Sequence, residues 1–408
     1  MAAAHPVMLD AFLDFAANGL ANAGWLAILL YVLVTTQLTI FAVTLYLHRS
    51  QAHRGVDFHP VIANFLRFWN WLGTGMVTKE WVAVHRKHHA HCETAEDPHS
   101  PQVAGIGKVF FEGAELYREA AANEADLQKY GRGTPDDWIE RHLYTPYPYL
   151  GVSILLVIDV ALFGVIGAAI WAVQMVWIPF WAAGVVNGLG HWWGYRNFET
   201  ADKATNLTPW GVWIGGEELH NNHHAFPSSA KFALRRFEVD IGWLIIRGLE
   251  KVRLAKVLRV APSLDERANV SLPDMETLKA LLTHRFEAMT DYYKTVIKPT
   301  VREQSDAEGT RRFGVMTRRR LRRALANGGR WLDQTGKARL AAAVENRPRL
   351  KQISEYRARL AALMEQRKPE SALAALQQWC REAEASGNRK LIEFAARLKR
   401  YSVARAQA

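Results

Sequence analysis

Cysteine is almost missing from this 408-residue chain, which carries only Cys92 and Cys380. Two thiols so far apart exclude a disulfide scaffold and a Cys-based zinc module, so any metal chemistry must rest on nitrogen and oxygen ligands. Positive charge is missing from the start of the chain, where no Lys or Arg precedes Arg49. The N-terminus thus lacks the basic region of a cleaved signal peptide, and its long apolar run starts only about twenty residues in, so it is expected to stay as an anchor. No internal repeat or low-complexity stretch occurs, and no fused cytochrome or ferredoxin motif is present.

What is present divides the chain in two. Hydrophobic residues make up 49% of it, with 15 Trp and a formal net charge of +11, while the mean hydropathy of −0.12 averages over two unlike parts. The apolar runs lie before Gly190, and much of the region beyond Leu249 is charged and helix-forming. Gly24 to Tyr46, GWLAILLYVLVTTQLTIFAVTLY, has no charged residue and is long enough to cross a hydrocarbon core of about 30 Å. Tyr149 to Gly190 carries a single charge, Asp159, and has room for two spans with a turn at Gly164 to Gly167. The expected spans lie near 24–46, 149–165 and 168–190.

The aromatic stretch near 59–78 contains Arg67, Gly73 and Gly75, and if the histidines on either side of it share a site it must enter and leave on one face, as an interfacial helix. Arg49, Arg54, Arg86 and Lys87 sit among those histidines, so the positive-inside tendency places them in the cytoplasm. The N-terminus then lies outside, unless VMLDAFLDFAANGL folds back as a short helix. After Ile246 the pattern is mostly helical, with expected breaks near Pro262, Pro273, Pro299, Gly328–Gly329 and Pro369. The reading is an all-α integral membrane bundle over 1–260 with a His-rich cytoplasmic cap, and a basic helical extension over 261–408.

Histidine carries the strongest signal. HRSQAH holds His48 and His53, HRKHH holds His85, His88 and His89, NGLGHWW holds His191, and HNNHH holds His220, His223 and His224. Residues at i, i+3 and i+4 share a helix face, where neutral imidazoles can converge on iron, zinc or copper. His48 and His53, five apart, stand about 140° apart around an α-helix, which suits two neighbouring metals better than one. Nine nitrogen donors also exceed the demand of one tetrahedral zinc, so a two-metal site is the economical hypothesis. His5, His59, His142 and His284 stand alone and are read as interfacial or hydrogen-bonded side chains.

HRSQAH, HRKHHAHCETAEDPHS and GGEELHNNHHAFP together resemble the three histidine boxes of membrane-bound fatty-acyl desaturases, including the acyl-CoA Δ9 type, over roughly residues 24–246. NGLGHWWGYRNF adds to the likeness, because that family places an asparagine four residues before a further ligand histidine. The resemblance implies two irons held by His48, His53, His85, His88, His89, His191, His220, His223 and His224, with Asn187 reaching one iron through water. It further implies dioxygen as co-substrate, electrons from a separate ferredoxin, flavodoxin or cytochrome-type donor with its reductase, and a cis double bond placed in the acyl chain of acyl-CoA or of a membrane lipid. A bacterial inner membrane is the expected location. The resemblance departs in two places: the animal enzymes have two spans before the first box where one is visible here, and the tail beyond about Val270 has no counterpart.

Ligating histidines usually donate their other N–H to a carboxylate, carbonyl or water, and Glu80, Glu93, Asp97, Glu217 and Glu218 lie next to the boxes as candidates for that role. Trp69, Trp71, Trp192 and Trp193 are candidates for lining an apolar substrate tunnel. The run TRRRLRRAL, residues 317–325, reads as a solvated helix face or a contact for anionic lipid rather than for nucleic acid, since no nucleic-acid-binding motif accompanies it. A hydroxylase on the same scaffold is the nearest alternative. A histidine-rich metal transporter or haem protein is the alternative from another class, disfavoured because the boxes sit at the ends of spans and the clearest span has no ionisable ligand.

Overall fold

A computed structural model describes residues Ala4–Ala404, with side chains from Met8 onward, so that His5 lies outside the side chains described. The chain divides into two compact units, one of Met1–Arg196 with Asp202–Ala261 and one of Asn197–Ala201 with Pro262–Ala408. Both are mainly helical. Among the described residues, four two-stranded ladders interrupt the all-α expectation, each only two or three residues long.

In the first unit, two helices among the described residues are long and apolar enough to cross a membrane: Trp25–Ala52 and Val165–His191. Pro148–Phe163 is a shorter apolar helix of 16 residues, joined to the second long helix by a tight turn at Gly164, whose φ is +63°. Leu26, Leu29 and Leu30 of the first long helix are exposed, whereas Thr35, Thr36 and Thr39 are buried. Apolar residues out and hydroxyls in is the pattern of a helix solvated by lipid and packed on its polar stripe. Tyr31 donates to Asp159 at 2.6 Å and Gln174 to Thr35 at 3.1 Å, so polar contacts join the helices.

The start of the chain does fold back. Ala4–Asn18 is helical, and the residues after it donate backbone hydrogen bonds from Leu20 to Ala161 and from Ala21 to Leu162, beside the Gly164 turn. At the opposite end, Pro60–Thr74 spans only about 22 Å at 1.5 Å per residue, too short to cross. It stops at Gly75, whose φ of +66° is a left-handed helix end, and the chain turns into Thr78–His91. His53 before this helix and His85 after it approach to 2.8 Å, so the segment enters and leaves on the same side.

The second unit has its own core, in which Tyr292, Leu321, Leu376, Trp379 and Phe394 are fully buried. Leu264–Glu266 pairs antiparallel with Tyr401–Val403 and ties the ends of the unit together. Pro299 does not break the chain as expected. Helix runs on from Arg285–Tyr292 through a π-helical turn, Tyr293–Ile297, into Lys298–Ala307. The wider turn absorbs the proline, which has no N–H to place in an α-helical ladder. Pro273 and Pro369 do stand at helix starts, and Gly328 ends Arg318–Asn327 with φ +68°.

Candidate metal centre

The first long helix changes character as it reaches the histidines. From Ala42 to Ala52 it is π-helical, and the His53 N–H donates to the His48 carbonyl at 3.1 Å. An i→i+5 ladder brings residues five apart onto one face. His48 and His53 therefore join a single group instead of serving two metals from opposite sides, which corrects the α-helical spacing argument.

That group is His48, His53, His85, His89 and His223, with one ring nitrogen of each lying within 4.8 Å of all the others. Its Nε2 atoms approach closely: His53 to His85 at 2.8 Å, His48 to His223 at 3.0 Å and His89 to His223 at 2.9 Å. A second group forms beside it. His220 Nε2 lies 2.9 Å from His191 Nε2 and 3.2 Å from His224 Nε2, while the His88 ring stands 4.9 Å from His191 and 5.3 Å from His224 between centroids. Each H-x-x-H-H box is thus shared between groups. The i, i+4 pairs His85/His89 and His220/His224 stay together, and the middle histidines, His88 and His223, cross to the opposite group.

Carboxylates orient the rings from behind. His48 Nδ1–H donates to Glu217 at 2.7 Å, His88 to Asp97 at 2.9 Å, His191 to Glu93 at 3.0 Å and His224 to Asp202 at 2.9 Å. Three of these acids are among the sequence candidates. Asp202 is not, because it stands 22 residues before its histidine with no periodicity to link them. Of the other two candidates, Glu218 instead accepts backbone N–H groups from Trp213, Ile214 and Gly216, and Glu80 hydrogen-bonds no site histidine among the described residues. Burial pushes both of their carboxyls up, consistent with places away from the imidazoles.

Burial, reinforced by the neighbouring imidazoles, holds His53, His85, His89, His220 and His223 well below the usual histidine range. His224 falls to about 4, since burial outweighs its bond to Asp202. His88 goes the other way: burial would lower it, but the charge and hydrogen bond of Asp97 raise it. Burial would likewise raise Glu217, yet the charge of His48 and their hydrogen bond bring it down. Rings that burial favours in the neutral form and rings held through Nδ1–H by a carboxylate together turn their Nε2 atoms toward one another. Lone pairs at about 3 Å repel unless a cation stands among them, so the donor set fits metal ions.

Other residues lock these elements in place. Arg49, buried between the two histidines of the first box, donates to Asp240 at 2.9 Å and to the carbonyls of Gly215 and Ala230, with its guanidinium 3.8 Å from the Phe232 ring centroid. Arg86 donates to the carbonyls of Gln51 and Ala52, tying the second box to the end of the first. Asn222, inside the third box, donates to Glu238 at 2.7 Å and to the Phe232 carbonyl. The sequence reading also passed over His99 and Cys92. His99 stacks on His88 at 4.4 Å and is pushed down to about 3 by burial and by His88. Burial pushes the Cys92 thiol up, yet its sulfur lies 3.8 Å from His88 Nε2 and groups with His88, His191 and His224 closely enough to hold one metal ion, which corrects the expectation of nitrogen and oxygen ligands alone.

A cavity at the site is lined by Ile40, Val43, Trp81, Ile178, Val186 and Ile214 and by the polar side chains of His48, His85, His220, Asn187 and Glu217. Asn187 lies on a second π-helical stretch, Pro179–Gly188. The tryptophan lining this cavity is Trp81. Trp69 donates to Thr39, Trp71 is buried against Tyr144, and Trp192 and Trp193 are exposed, so none of the four candidates lines it. Of the lone histidines, His59 caps Pro60–Thr74, His142 contacts the Trp138 carbonyl and His284 lies beside Glu287.

Residues 23–242 match a family model described as fatty acid desaturase. Similar proteins include the sn-1 stearoyl-lipid 9-desaturase of Anabaena variabilis, 26% identical over 59% of this chain and 87% of that protein. Delta-9 acyl-lipid desaturase 1 of Arabidopsis thaliana is 30% identical over 62% of this chain and 81% of its own length. The acyl-CoA 5-desaturase AL21 of Anemone leveillei is 30% identical over 60% and 74%.

Proposed function

This chain belongs to the fatty acid desaturase family and is an oxidoreductase of acyl chains, and from that premise we propose that it inserts a cis double bond, at the Δ9 position, using a di-iron centre. The observation that carries the proposal is the division of nine imidazoles into two adjacent groups. One iron is assigned to His48, His53, His85, His89 and His223. The other is assigned to His88, His191 and His224, which group with Cys92, together with His220 beside His191 and His224, and Asn187 acts on one of the irons through water. Two irons bound there supply, from dioxygen and two electrons of a separate donor protein, the oxidising power needed to take two hydrogens from neighbouring methylenes.

The chain's own residues do the rest. Glu217, Asp97, Glu93 and Asp202 hold four rings in the Nδ1–H tautomer, which keeps Nε2 available to metal. The apolar cavity walls exclude water from the methylenes and seat a saturated chain against the His48, His85 and His220 end. Thr44 donates to Glu217 and fixes the carboxylate at that end. The substrate is the acyl chain of acyl-CoA or of a membrane lipid, with the helices in a bacterial inner membrane and the histidines on its cytoplasmic face. Δ9 rests on relatives whose names carry that position, and one similar protein is named a 5-desaturase.

The test compares the purified protein with a His220→Ala, His223→Ala variant for iron content, and compares the lipids of cells expressing each by mass spectrometry that locates the double bond. The expected result is about two irons per chain, as two donor groups require, both diminished in the variant together with loss of a new mono-unsaturated chain. Zinc or haem in place of iron, or a hydroxylated product in place of an alkene, overturns the proposal.

A further inference from the structure

The second unit carries the protein's excess charge. From Pro262 onward there are 30 Lys and Arg against 17 Asp and Glu, so the remainder of the chain is slightly acidic. Part of this excess is concentrated on one surface. Arg312–Phe313 and Met316–Thr317 form a hairpin that runs directly into the helix Arg318–Asn327. Phe313 and Met316 are buried beneath the hairpin, and Leu321, Ala324 and Leu325 anchor the helix to the core. The opposite helix face presents Arg319, Arg320 and Arg323, all exposed, while Arg311 and Arg312 are exposed on the hairpin. Arg318 pairs loosely with Asp306 at 3.8 Å, but none of the other five arginines has a carboxylate within ion-pair distance among the described residues. At the hairpin tip, beside Gly314, Val315 is 69% exposed.

We propose that this hairpin and helix form a peripheral membrane contact, in which Val315 enters the headgroup region of an anionic leaflet and Arg311, Arg312, Arg319, Arg320 and Arg323 meet lipid phosphates. Five exposed guanidiniums clustered on one surface repel one another and attract anions, and guanidinium matches phosphate oxygens in bidentate geometry. An apolar side chain at the tip of a tight turn, ringed by cations, gains nothing from a purely aqueous or nucleic-acid contact but fits the boundary between headgroups and acyl chains. The proposal rests on the membrane reading of the first unit, to which the second unit is joined in one chain.

The full chain is placed in nanodiscs of phosphatidylcholine alone or mixed with phosphatidylglycerol, and amide hydrogen exchange is followed across residues 311–323. Exchange is expected to slow about tenfold or more in the anionic discs and to recover in about 0.5 M salt. An Arg319→Gln, Arg320→Gln, Arg323→Gln variant is expected to lose the protection, and Val315→Ser to weaken it, while exchange at the Trp379 core reports that both still fold. Equal exchange in the two discs, or protection that persists in the glutamine variant, overturns the proposal alone. Protection conferred by an acidic ferredoxin in neutral discs, with none from anionic lipid, overturns it in favour of a protein partner. A chain that enters neither disc overturns the membrane reading and the proposal together.

Discussion

Four of the imidazoles donate an Nδ1–H hydrogen bond to a carboxylate, and that second bond decides how well the other nitrogen serves a metal. Asp202 is the informative case, being the partner of His224 that no sequence spacing announced. Asp202→Ala leaves His224 Nδ1 without its acceptor, and iron affinity, measured by chelator competition, is expected to fall about 10–100-fold. Asp202→Asn keeps an acceptor without the charge and is expected to fall in between. An unchanged affinity in both variants would leave Asp202 as a packing residue. At this scale the sequence was legible where a residue type repeats at a helical interval, as in HRKHH and HNNHH, and silent where two residues meet only through the fold, as Asp202 and His224 or His88 and His99 do.

Among the elements, the π-helical end of Trp25–Ala52 and the short helix Pro60–Thr74 shape the site most directly. The first puts His48 and His53 on one face, and the second returns the chain so that Thr78–His91 can bring His85 to His53. That return depends on Gly75, where a side chain would need a left-handed conformation and would press on the Pro148 carbonyl. Gly75→Ala is expected to cost about 1–2 kcal/mol, seen as a lower midpoint in thermal or denaturant unfolding, and Gly75→Asn to cost less because Asn tolerates that conformation better. Equal stability of all three proteins would show that the turn relaxes freely. The glycine and the one-sided entry of this helix were legible, but the π-helical turn was not, because hydrophobic periodicity carries no mark of one wider turn.

At the scale of the whole molecule, each unit has its own core, and Cys380 reports on the second. Its side chain is buried among Trp379, Leu376 and Phe394, and burial pushes the thiol up to about 12. Native protein is therefore expected to resist thiol reagents at Cys380 until that unit opens. Leu376→Ala removes a fully buried side chain at a cost of about 2–5 kcal/mol, and labelling of Cys380 under native conditions should rise steeply. Rapid labelling of the unmodified protein would contradict the packed core.

The sequence by itself determined that the protein would have apolar membrane-length helices, clustered imidazoles able to hold metal and a basic helical tail, because length, hydropathy and residue spacing are local properties. It also carried the family resemblance, since the boxes are contiguous strings. Only the tertiary structure decided which five imidazoles face one group and which four face the other, that Glu93, Asp97, Glu217 and Asp202 stand behind the rings while Glu80 and Glu218 do not, and that Trp81 lines the cavity. Those outcomes depend on helix rotation, on loop paths such as the one that returns Asp202 to His224, and on contacts between distant residues, such as His48 with Glu217. No local rule carries such a contact, because it exists only after separate elements have packed together.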